Sequence, residues 1–141
     1  MNPTKRKIFK ALSTERWSDS SIFFLRLFVG VMMLVHGIQK INNYEMLHTT
    51  FPDPIGWGSQ TSLLLITAIE TIGSICLIVG FLVRPAALAL AIGMFVATFL
   101  SAPGESFAQH ELSFVYMGIY IALIISGGMR YSLDRMVFRV R

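Results

Sequence analysis

Cysteine is almost missing from this chain. Cys76 is the only one among 141 residues, and it lies inside an apolar run. A lone thiol excludes a disulfide scaffold, a thiol relay and a cysteine metal cluster within the chain. It leaves Cys76 as a small buried hydrophobe. Charge is scarce too, at 14% of residues, which removes the disordered and charge-patterned classes. No glycine-rich loop follows a strand, so a P-loop has no place. Ser-His-Asp spacing is absent, and no His/Glu pair stands four apart to begin a metal site. Catalytic residues are therefore unassigned from sequence, and no metal site is expected.

What is present is hydrophobicity. Apolar residues make up 54% of the chain and the mean hydropathy is +0.62, values of a polytopic membrane protein. A helix needs about 20 apolar residues to cross the hydrocarbon core. Runs at 21–39, 61–82, 85–101 and 112–127 meet or approach that length, the last two being short. The first run is too long for a signal h-region, carries Arg26 and His36, and lacks a small-x-small site, so it predicts a retained span rather than a cleaved leader. The expected fold is all-α, an antiparallel bundle of four transmembrane helices preceded by a short amphipathic interfacial helix. Its divisions are a cytoplasmic N-terminal segment at 1–19, the membrane domain at 20–128 and a basic cytoplasmic tail at 129–141.

The basic residues are segregated. Lys5, Arg6, Lys7, Lys10 and Arg16 precede the first run, Arg84 separates the second and third, and Arg130, Arg135, Arg139 and Arg141 follow the fourth. Only Lys40 falls on the other side. The positive-inside rule then places both termini in the cytoplasm and the two longer loops outside. Charges collected at membrane edges explain the net +4 without nucleic acid. The lipid bilayer is the one partner the composition demands. Residues 5–17 read as an inner-surface helix, with Ile8, Phe9 and Leu12 on one face and cations for anionic headgroups on the other. Ser18 or Asp19 is placed to cap the first span and Ser132 to cap a tail helix.

Polar residues inside apolar runs are costly and so informative. At 100° per residue, Arg26, Gly30, Met33, Gly37 and Lys40 form one stripe of the first helix, and Thr67, Glu70, Ser74 and Leu77 share a face of the second. Small residues recur at Ala89, Gly93, Ala97 and Ser101 in the third, and at Gly118, Ala122 and Ser126 in the fourth. Such spacing lets helices approach closely in lipid. Two expectations follow. Arg26 and Glu70 form a buried ion pair, and His36, Gln39, Lys40 and Glu111 line one pocket in the outer half, with Trp57 in its cover. Such a pocket suits a quinone carbonyl or a small oxyanion. Snorkelling of Arg26 and Lys40 is the plainer alternative.

The landmarks Leu25-Arg26-Leu27, His36-Gly37-Ile38-Gln39-Lys40, Phe51-Pro52-Asp53-Pro54-Ile55-Gly56, Ala68-Ile69-Glu70, Gly80-Phe81-Leu82-Val83-Arg84, Glu111 and Gly128-Met129-Arg130-Tyr131-Ser132-Leu133-Asp134 occur in an order that resembles the DoxX family of small bacterial inner-membrane proteins. The resemblance spans roughly residues 20–135. It implies four spans in the bacterial inner membrane and a membrane subunit associated with redox metabolism, with quinone as electron acceptor or a redox protein as partner. No cofactor is encoded visibly. A non-catalytic scaffold, a small transporter and a homo-oligomer stay open at this level.

Overall fold

The computed structural model describes residues 2–12, 15–101 and 103–138. Arg139 and Arg141, two of the tail cations, lie outside the described residues. Seven helices and no strand occur among the described residues: α1 (Pro3–Leu12), α2 (Glu15–Asn42), α3 (Tyr44–Leu47), α4 (Ser59–Val79), α5 (Val83–Phe99), α6 (Phe107–Ser126) and α7 (Leu133–Phe138). Three of them are long and apolar enough to cross a membrane, Trp17–Asn42, Ser59–Val79 and Phe107–Ser126, while Val83–Phe99 is shorter. Large apolar side chains such as Phe24, Ile72, Leu88 and Ile125 point outward. Water rejects such a surface and hydrocarbon accepts it.

α5 packs most extensively on α6 and α2 on α4; the α4–α5 contact is thinner and that of α2 with α6 thinner still. Val29, Met33, Leu77, Leu90, Tyr120 and Leu123 fill the shared core. Glycine sets the α2–α4 approach. A Cβ on Gly30 would lie 3.3 Å from the Ser74 carbonyl, and one on Gly37 would lie 3.3 Å from the Thr71 amide. Backbone is met at both places, so neither site has room for a side chain.

α2 begins at Glu15 and runs straight through Ser18 and Asp19, so neither residue caps it. The Trp17 indole instead donates to the Ala11 carbonyl at 3.1 Å, tying α1 to the start of α2. α6 also departs from expectation. Its buried residues are Tyr116, Tyr120 and Leu123, whereas Gly118 and Ala122 are exposed and a Cβ on Gly118 would meet nothing within 4 Å. The close-packing partner is α5, which buries Ala86, Ala87, Ala91 and Gly93. Small residues on one helix make room for rings on the other, and the second stripe is left free.

The α4–α5 turn and the tail are built as one piece. Gly80 (φ +76°) ends α4, and Leu82 (φ +49°) takes a left-handed conformation that L side chains disfavour. Asp134 holds it there: its carboxylate accepts the Leu82 amide at 2.6 Å and the Val83 amide at 3.0 Å, capping α5 from the far end of the chain. Arg26, 1% exposed, donates Nη1 to the Gly128 carbonyl at 2.9 Å and Nη2 to that of Tyr131 at 2.5 Å, with its guanidinium 5.5 Å from the Phe23 ring centre. Ser132 caps α7 by accepting the Arg135 amide at 3.4 Å.

Arg26 therefore does not pair with Glu70. The seam explains why. Gly30 meets Ser74 and Ile78, and Gly37 meets Thr71, so contacts descend along α4 as they ascend along α2. Arg26 falls opposite Gly80, whose Cβ would lie 3.0 Å from the guanidinium, and Glu70 falls opposite Lys40.

Candidate ligand cavity

Lys40 Nζ lies 2.6 Å from Glu70 Oε2 and 2.8 Å from Oε1. The Glu70 side chain is 3% exposed and that of Lys40 21%. Burying a carboxylate is costly unless a cation bonds it, and Lys40 meets both of its oxygens. Ser74, one turn on, donates its hydroxyl to the Glu70 backbone carbonyl and so satisfies its own polarity locally. The Tyr120 hydroxyl is buried and has no hydrogen-bond partner among the described residues; its ring stacks on that of Tyr116, with centres 6.0 Å apart.

The ion pair forms part of the wall of a cavity of about 340 Å³ bounded by α2, α4, α5, α6 and the loop at 51–55. His36, Ser62, Ser101, Ser113 and Tyr116 supply its other polar groups, and Met33, Ile66, Ile69 and Met94 much of its apolar wall. The His36 ring stands edge-on to Tyr116, with centres 6.0 Å apart. A small, mostly apolar chamber with a few converging polar groups is the usual form of a small-molecule site, at the low end of the ~300–1,000 Å³ range.

One end of the chamber is covered by Phe51, Pro54 and Ile55, held in place by Asp53. Asp53 Oδ1 accepts the Ser62 hydroxyl at 2.8 Å and the Trp57 amide at 3.0 Å, and Oδ2 accepts the Gly58 amide at 2.8 Å. Hydrogen bonds to the charged form, that of Ser62 first and Gly58 next, hold the Asp53 carboxyl below the ordinary aspartate range. A depressed carboxyl contributes order above its unfolded pKa of about 3.9 and loses it as pH falls through the folded value. Protection of the Trp57 and Gly58 amides against hydrogen exchange is therefore expected to persist down to about pH 4 and then fall. Asp53→Asn is expected to lower it at every pH. Equal protection in variant and wild type would show that the carboxylate does not hold the cover.

Of the expected pocket residues, His36 and Lys40 line the cavity, and Gln39, Glu111 and Trp57 do not. Gln39 is one residue before Lys40, about 100° around the helix, and is exposed. Glu111 is exposed on α6, while its successors Leu112 and Ser113 reach the cavity. Trp57 is 66% exposed and contributes only its amide to Asp53. The cover is made by the residues before it. His110 Nε2 stands 3.3 Å from Glu105 Oε2, apart from the cavity lining. Sequence reading missed Asp53, Ser62 and Tyr116 as site residues, and Tyr120 as the core ring stacked on Tyr116. Two tyrosines one turn apart on α6 were the available signal, masked by the small-residue stripe on the opposite side.

These features define an all-helical membrane protein with a charged pair inside its helical core. The family model described as DoxX matches residues 21–103, and the chain belongs to the DoxX family. The match runs from α2 to just beyond α5. The chain is also 29% identical over 132 residues to an uncharacterized protein of Haemophilus influenzae, covering 89% of this chain and 96% of that relative. No solved structure matches it.

Proposed function

We propose that this DoxX protein is a four-span antiparallel bundle of the bacterial inner membrane, both termini cytoplasmic, that serves redox metabolism by holding a quinone in the cavity beside Lys40 and Glu70. Ten basic residues on one side against Lys40 on the other support the orientation. The observation that carries the ligand reading is the ion pair set in an apolar chamber. Lys40 and His36 offer donors to a ring carbonyl, Glu70 offers an acceptor for a hydroquinone hydroxyl, and Tyr116 and Met33 offer faces for the ring. The chain's own residues bind, orient and take up or release protons at the carbonyl oxygens; the electrons come from a protein partner.

The test is extraction of the full-length protein from membranes, with mass spectrometry of what remains bound, for wild type and Glu70→Gln. Bound quinone in wild type, reduced about tenfold or more in the variant, is expected, a loss of roughly 1.4 kcal/mol or more. A quinone-free preparation that copurifies with a stable protein partner would replace the proposal with the scaffold reading.

A further inference from the structure

The cavity has two kinds of boundary. At the loop end, Phe51 and Pro54 lie across it, pinned through Asp53. Between α4 and α5 the boundary is a single layer of apolar side chains. Leu65 and Ile92 line the cavity and are also 43% and 56% exposed on the molecule's outer surface. A residue that faces both a chamber and the exterior marks a thin wall, and the α4–α5 contact is weaker than those of α2–α4 and α5–α6. Gly93 sits in that wall. A Cβ there would lie 2.9 Å from Ile66 Cδ1, so the end of the Ile66 side chain occupies the space that any other residue at 93 would fill. Both helices are apolar on either side of this point, and the medium outside it is hydrocarbon.

We propose that the cavity is filled sideways from the bilayer, between α4 and α5, by a single-chain amphiphile with a compact, uncharged head. The head rests on the Lys40–Glu70 pair, and the tail lies in the gap between Leu65 and Ile92. Ile66, seated over Gly93, is the element that swings to admit it. An uncharged head fits because Lys40 and Glu70 already cancel each other. A further anion would have to pull Lys40 from a carboxylate that is itself out of water, whereas a carbonyl or hydroxyl bonds to the pair as it stands. One chain fits because the chamber holds only about 340 Å³, so the remainder of a longer molecule must lie outside, in lipid. The inference rests on the reading that the pair binds a ligand, and adds the route and the tail.

The experiment uses full-length protein in nanodiscs, with empty nanodiscs as the partition blank. Two probes are compared, a tailless dimethoxy-methyl-benzoquinone and the same ring bearing a decyl chain. Wild type is expected to bind both, and the tailed probe about tenfold or more tightly when each affinity is referred to free aqueous probe, because a chain that runs from the cavity into lipid keeps at least roughly two methylenes out of water. Gly93→Phe fills the gap, and Leu65→Trp plugs it from a half-exposed position that the fold does not depend on. Each is expected to bring the ratio of tailed to tailless affinity towards one. A ratio unchanged in Leu65→Trp, or a wild-type ratio already near one, overturns lateral entry. Failure of wild type to bind either probe overturns the ligand reading itself, so the two failures are distinguishable. If Gly93→Phe does not fold, Leu65→Trp alone decides.

Discussion

Lys40→Met is expected to destabilise the protein by about 3–5 kcal/mol, the usual cost of leaving one member of a buried ion pair alone. Glu70 is the more deeply buried partner, at 3% against 21% side-chain exposure, and no other cation contacts its carboxylate among the described residues. Glu70→Gln is expected to cost less. It removes the charge but keeps an acceptor, and Lys40, within three residues of the end of α2, can extend its flexible stem towards the membrane edge. The double variant Lys40→Met/Glu70→Gln should recover part of the loss, since neither charge is then left buried. Reversible unfolding in mixed micelles gives the four free energies of the cycle. Strict additivity would mean that the 2.6 Å contact carries no coupling. Arg26→Ala combined with Glu70→Gln is the control, and these two are expected to add, because they act at opposite ends of the α2–α4 seam.

Arg26→Ala is the second large effect, again about 3–5 kcal/mol, from two charge-assisted hydrogen bonds at roughly 1.5–3 kcal/mol each. The carbonyls of Gly128 and Tyr131 lose their donor, and the space beside Phe23 and Gly80 is vacated. Arg26→Lys is expected to rescue little, because a single ammonium on a shorter reach does not reproduce a planar fork that serves two acceptors. The effect should be local as well as global. Limited proteolysis is expected to cut between residues 128 and 138 in both variants well before it cuts wild type. Asp134→Asn should expose the same segment with a smaller stability loss, as expected for a helix cap at about 1 kcal/mol. A tail equally protected in Arg26→Ala would show that the latch lies elsewhere.

The apolar runs made the principal helices readable from sequence, to within a few residues at most ends, since hydrophobic length depends on composition alone. Ser132 as a cap was readable because it acts on its own neighbours. Pairing was not. Helical phase put Arg26 and Lys40 on one stripe of α2, but phase carries no information on which end of that stripe meets Glu70. That depends on the offset between α2 and α4, set by where Gly30 and Gly37 find backbone to approach. The face of α6 was misread for a related reason. Small residues signal close approach only when the facing helix supplies bulk, and α5 supplies alanines. Asp53 stood out only as a member of the Phe51–Gly56 motif, and its grip on Ser62 depended on a loop path that no local rule specifies. His36 and Lys40, four apart on α2, both line the cavity, because one turn of helix brings them to the same side.

The attachment of Arg26 to the tail also has a consequence for the order of events during synthesis. Its acceptors at Gly128 and Tyr131 follow it by 102 and 105 residues. At roughly 5–20 residues per second the ribosome needs about 5–20 s to make them. Throughout that interval the first long helix carries a guanidinium with neither acceptor yet made, and Leu82, once made, lacks its Asp134 cap until 52 residues later. Synthesis of residues 128–134 closes both deficits at once. Arrival of that segment, rather than insertion of α6, is thus the event that commits this bundle to its finished form, and a chain that stops after α6 is marked as unfinished by the buried Arg26 charge.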